Sequence, residues 1–264
     1  MKHNFSNIFQ DHLPISPWHE LHLKGLPGIN PLDRKDWILV DNVFDGQMAY
    51  ADYLLSNKLN SVLLIDIYAD DAARELLAHV LKALIGIKGY LINANTVKRP
   101  DSVIVKIDWN QALKTARSLV QQDLCIMLPI EDEYILVGAA MCFPASWTLS
   151  EKFMRPMTSI HEPVEEYSAD LAKRVDRIFK LMRPDQDMWR ANWLVYDDPD
   201  LHQPRKRHEV RPRIVLKEQW VRVERQSFCK LPNTQAIIFG IHTCVLPFLE
   251  LTDIQKITLN AVTQ

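Results

Sequence analysis

The sequence predicts an α+β fold, in which an antiparallel sheet carries helices on one face. Three observations carry that expectation. Strand and helix patterns are mixed through the first 140 or so residues. Two Pro-bounded helical segments then cross between Ser146 and Pro184. Three long strand patterns follow as neighbours, which suits an antiparallel meander.

Taken in order, residues 1–40 read as an irregular arm. Pro14, Pro17, Pro27 and Pro31 forbid a continuous helix there. His19 and His22 read as surface histidines, because no acidic or thiol partner follows at ligand spacing. Trp37–Val40 is a short strand pattern, and Asp45 caps a helix to about Asn57. Ser61–Tyr68 is rich in β-branched residues and predicts a strand. Asp70 or Asp71 caps a helix whose apolar residues, Ala73, Leu76, Leu77, Val80, Leu81 and Leu84, keep the helical period up to Gly86. Asp108 and Gln111 open another, with Leu113, Ala116 and Leu119 inward.

Leu124–Leu128 and Tyr134–Met141 form a hairpin with a charged link in solvent, and Pro144 ends its second strand. Ser146 caps a short helix limited by Pro156. Pro163 opens the next, with Leu171, Val175, Ile178, Phe179 and Met182 on one face. Along Met188–Tyr196, Trp189, Ala191 and Trp193 share one face; Arg190, Asn192 and Leu194 share the other. Residues 197–213 are polar and basic and read as a solvated loop, with docking of an acidic partner as the alternative. Val215–Ser227 and Ala236–Leu246 are the last two strands, and Leu249–Val262 is a terminal helix. The division expected is an arm over 1–40, one domain over 41–250 and a helix over 251–264.

Composition narrows the function. A net charge of −2 in 264 residues gives no footing for nucleic acid or an anionic membrane. Seven glycines form neither GxGxxG nor a P-loop. Cys125, Cys142, Cys229 and Cys244 form no CxxC, which speaks against a zinc knuckle, an iron–sulfur cluster or covalent haem on this chain. The first residues lack the apolar core of a signal peptide, and no apolar run approaches a membrane span. A cytoplasmic protein with reduced thiols is the expectation.

The densest run of unusual residues is MCFPASWTLSEKFMRPMTSIHEPVEEY, Met141–Tyr167. His161 lies between a Pro-limited and a Pro-started helix, so its backbone is well fixed. That suits an axial haem ligand, although on spacing alone a buried histidine bonded to backbone is the commoner outcome. Arg155 suits a propionate or another carboxylate, or is a surface charge. Phe143, Trp147 and Trp193 suit the faces of a flat macrocycle, or plain core packing. Arg222, Glu224 and Gln226 repeat on one face of an otherwise apolar strand. They either face water or line a polar pocket, which Arg190 and Asn192 can join.

The Met141–Tyr167 block resembles the CFPxSWxLxEKxGxPLxxIHxPVPxY signature of a haem-binding family whose type is the α subunit of haem-dependent oxidative N-demethylase. WRANWLVYDDP and VRVERQSFCKLPNTQAIIFGIHT match later blocks, and the similarity is specific from about Asp123 to Pro247. The resemblance implies a PAS-like antiparallel sheet whose helices form a haem pocket, with N- and C-terminal extensions. It implies non-covalent haem b ligated by His161, and oxidation of a small secondary amine such as dimethylamine with dioxygen. Electrons would come from partner subunits carrying FMN and a 2Fe–2S cluster. Glu224, Arg222 and Arg190 become the catalytic candidates; Arg155, Trp147, Phe143 and Trp193 remain cofactor-binding candidates. A PAS-like haem gas sensor without turnover is the alternative. Three departures stand out: Met154 replaces a Gly, Glu165 a Pro, and His242 an expected Arg.

Overall fold

Alternation of side chains along three long strands builds the centre of the molecule. The computed structural model describes residues 7–23, 28–131, 133–161, 169–209 and 219–263, with backbone alone at His161, Ala169 and Thr263. The long strands are β8 (Met188–Tyr196), β9 (Trp220–Lys230) and β10 (Ile237–Pro247), and they form the expected meander. β10 then pairs with β6 (Asp123–Ile130), which forms a hairpin with β7 (Glu133–Ala140). The short strands β1 (Asn30–Pro31) and β2 (Leu63–Ile65) close the two edges. The sheet order is β1-β8-β9-β10-β6-β7-β2, antiparallel throughout. A separate three-stranded sheet contains β3 (Leu91–Ile92), β4 (Thr96–Lys98) and β5 (Ile104–Lys106).

The helices are α1 (Phe44–Asn57), α2 (Leu59–Val62), α3 (Asp70–Ala83), α4 (Ala112–Leu119), α5 (Leu149–Lys152), α6 (Met157–His161), α7 (Ala169–Leu181) and α8 (Asp253–Thr263). They cover both faces of the large sheet, not one. Leu76, Val80, Leu113 and Ala116 of α3 and α4 pack with Ile126, Val137 and Ile238. Leu149, Leu171, Val175 and Phe179 of α5 and α7 pack with Met127, Leu136 and Phe228. The reason is already in the strands. β6 carries apolar residues at both even and odd positions, so each face needs cover.

Two strand expectations change. Trp37–Val40 is no strand: Asp33 accepts from the Lys35 N–H, and Trp37 closes a 3-10 turn over Arg34–Asp36. Ser61–Tyr68 yields only the three residues of β2. Asp66 accepts from the Tyr68 N–H and draws Ile67–Ala69 into a second 3-10 turn. In both cases a local aspartate cap competes with strand pairing and wins. Pro163 and residues 215–218 of the expected helix and strand lie outside the described residues.

The N-terminal residues are part of the main body. Gln10 donates its backbone N–H to the Val245 carbonyl at 3.1 Å and accepts from the Val245 N–H through Oε1 at 2.7 Å. Trp18 Nε1 donates to Thr258 Oγ1 at 3.1 Å, which ties the same segment to α8.

Candidate functional site

Even-numbered residues of β9 face α5, α6 and α7. Phe228 joins the apolar cluster there, but Arg222, Glu224 and Gln226 make the middle of the strand polar on that side. Arg222 is 1 % exposed and Glu224 6 %, so neither faces water. Arg222 Nε donates to Glu224 Oε1 at 3.1 Å. Its Nη1 donates to the Leu201 carbonyl at 3.1 Å, and its Nη2 to the Phe143 carbonyl. Gln226 Nε2 donates to Glu224 Oε2 at 3.4 Å. Arg222 thereby fixes Glu224 and anchors two loops.

Strand register brings two more polar residues to the same face. Arg190 sits opposite Gln226, and Asn192 opposite Glu224. The Arg190 Nε and Asn192 Oδ1 atoms are enclosed and have no hydrogen-bond partner among the described residues. Burial pushes the Arg190 guanidinium below its usual range, against the pull of Glu224. Unsatisfied buried polar atoms are costly, so a donor and an acceptor left open side by side call for an explanation.

Lys152 completes the group. It ends α5, half-buried, with Nζ 4.2 Å from the Trp147 ring centroid. Desolvation pushes its ammonium down to about 8, opposed mainly by Glu224. The sequence carried a signal for it: Lys152 is three residues after Leu149 on one short helix, and Leu149 is buried on this face.

The predicted site residues therefore separate. Arg222, Glu224 and Arg190 come together with Asn192, Lys152 and Trp147. Phe143 lends its carbonyl, while its ring packs near Tyr50, 5.6 Å between centroids, and under Arg117. Trp193 is on the opposite face of the sheet, edge-on to Trp18 at 5.6 Å. Arg155 is exposed, and only its backbone is tied down, by Leu136 N–H donating to its carbonyl at 3.0 Å. His161 ends α6, whose Met157 and Ile160 pack on the site face; the His161 side chain lies outside the described residues. A separate cleft beside α2, α3 and α4, lined by Leu59, Ile65, Arg74 and Trp109, contains none of these residues.

A family model described as haem-dependent oxidative N-demethylase, alpha subunit-like, matches residues 28–263. The chain belongs to that family. Among curated proteins no sequence match accompanies it. Membership in the alpha subunit-like family gives a cofactor against which the residues can be tested. Haem needs an apolar wall, a ligand and partners for two carboxylates. The site face offers Leu149, Met157, Ile160 and Leu171 as wall. α6 delivers the His161 backbone beside it, and among the described residues Arg190 and Lys152 have no carboxylate of their own. The residues fit. One departure of this chain from the family signature also has a structural counterpart: Met154, where a Gly was expected, has φ +57°, the left-handed region that favours glycine. No helix among the described residues is long and apolar enough to cross a membrane.

Proposed function

We propose that this chain is the haem-binding subunit of an oxidative N-demethylase acting on a small secondary amine such as dimethylamine. The haem is b-type and non-covalent, with His161 as axial ligand. Dioxygen is the oxidant, and partner subunits with FMN and a 2Fe–2S cluster supply electrons to a cytoplasmic assembly. The observation that carries the reading is the Asn192–Glu224 pair. An open amide oxygen and a fixed carboxylate face each other across β8 and β9. A secondary amine in its ammonium form has two N–H donors, and these are two acceptors for them.

The bound haem would supply dioxygen activation and a path for electrons. Glu224 and Asn192 bind the amine nitrogen and aim its methyl group. Arg222 holds Glu224 in place from behind. The apolar wall from α5 to α7 keeps bulk water from the reacting carbon. In balance, the amine loses two electrons and two protons to become an imine. Two further electrons come from the partners, and dioxygen is reduced to two waters. Water then splits the imine into a primary amine and formaldehyde.

Two experiments test this. The reconstituted wild type shows a Soret band that His161→Ala shifts or abolishes; an identical band in both removes His161 as ligand. Formaldehyde release from dimethylamine falls roughly a hundredfold in Glu224→Gln with haem content unchanged, the scale of losing one preorganised polar contact. Full turnover by that variant would discard Glu224 as the amine anchor.

A further inference from the structure

Among the described residues the site face holds three cations, Arg190, Arg222 and Lys152, and one carboxylate, Glu224. Arg222 and Glu224 compensate each other directly, and the rest of the Arg222 donors end on carbonyls. Arg190 and Lys152 then have no carboxylate of their own among the described residues. Glu224 acts on both, but only at longer range. Arg190 Nε has no acceptor among the described residues, and Lys152 rests on an indole ring, which attracts a cation without neutralising it. Both cations are half-buried, so an anion that reaches them would be held more strongly than at the open surface.

We propose that Arg190 and Lys152 are the seats of the two haem propionates. The inference rests on the haem reading above and adds residues to it. Two uncompensated cations match two carboxylates in number, and they stand beside an apolar wall suited to a porphyrin. Arg155, which the sequence offered for this role, is in solvent. Arg190 offers its fork and Lys152 a point charge, so the two carboxylates would be held differently.

The test uses haem and its dimethyl ester, in which both carboxylates are neutral, titrated into the full chain and followed by the Soret band. Wild type is expected to bind haem roughly ten- to a hundredfold more tightly than the ester, the scale of lost charge-assisted hydrogen bonds. Arg190→Gln and Lys152→Gln each narrow that gap, and Arg190→Lys restores part of it. Equal binding of haem and ester by wild type overturns the assignment while leaving the haem reading intact. No binding of either removes both. A carboxylate-bearing substrate is the other source of the same chemistry, so N-methylglycine is added to the haem-loaded protein. A Soret shift in wild type that Arg190→Gln abolishes would hand these cations to the substrate and overturn the proposal.

Discussion

Arg99 and Arg190 are both drawn into the protein, and they are treated in opposite ways. The Arg99 side chain is 0 % exposed and is gripped by two carboxylates. Nε and Nη2 donate to Asp101 at 3.1 and 2.6 Å; Nη1 and Nη2 donate to Asp52 at 3.1 and 2.8 Å; Nη1 also reaches the Ser118 carbonyl. Arg190 has an enclosed Nε with no acceptor among the described residues. An arginine kept for the fold finds its carboxylates on the chain. One left open among the described residues is free to take a carboxylate from a ligand. Asp41 belongs with Arg99: it accepts from Gln10, Gln121, His242 and the Val43 N–H, and no lone pair is left for a ligand.

The contrast breaks first at Arg99. Arg99→Met strands two aspartates, and urea unfolding is expected to show a loss of about 3–5 kcal/mol, the cost of breaking a buried pair from one side. A loss under about 1 kcal/mol would mean that the grip is ornamental. Asp41 comes next. Burial pushes its carboxyl up, but the His242, Gln10 and Gln121 donors outweigh burial and bring it from 3.8 to about 2. Since the folded value is the lower one, its stabilisation is present above pH 3.8 and is lost as pH falls through about 2. The amount is about 2 kcal/mol. Asp41→Asn should remove that part of the acid dependence, read from unfolding curves between pH 5 and 2.

Met154→Gly relieves the left-handed backbone at a half-exposed position and is expected to add about 1 kcal/mol. Denaturant midpoints measure it, and a loss would mean that the Met side chain matters more than its φ. The smallest effect belongs to the open side of the comparison. Arg190→Met in the haem-free protein should change stability by under about 1 kcal/mol, or raise it, because no pair is broken. Lys152 gives a companion signature in pH. Its folded value lies near 8 against an ordinary 10.5, so the unfolded chain holds a proton that the folded chain has released. Haem-free stability therefore rises between about pH 8 and 10.5 and is lower below it. Glu224, Cys125 and Glu151 face this ammonium, and Lys152→Met should flatten the rise.

Much of this site was legible from period-two alternation. Arg222, Glu224 and Gln226 share a face in any strand, and the same rule puts Arg190 and Asn192 together on β8. It also separates Trp193 from Arg190, so the placement of Trp193 behind the sheet follows from the pattern that found Arg190. What alternation leaves open is which face is buried and under what. Lys152 and Trp147 come from a different element, and only tertiary packing brings them over β9. The Asp33 and Asp66 turns were missed for another reason. Apolar runs next to them look like strands, while a single side-chain cap decides the backbone. Met154 shows the reverse case, where a departure from a motif pointed to a residue whose backbone lies in the region that favours glycine.

The place of β10 in the sheet has a consequence for how the molecule forms. The strand lies between β9 and β6, in the middle of the sheet, yet it comes from residues 237–247. Gln10 closes on the same strand across 235 residues. During synthesis, β6 and β7 can pair early as a hairpin, but they have no central neighbour until residues 237–247 have emerged. Such a topology has high contact order, folds slowly, and leaves the β6 edge open until β10 is made. Shortening the chain from its C-terminal side past Pro247 would remove the keystone of the sheet, whereas losing β2 would only trim its rim.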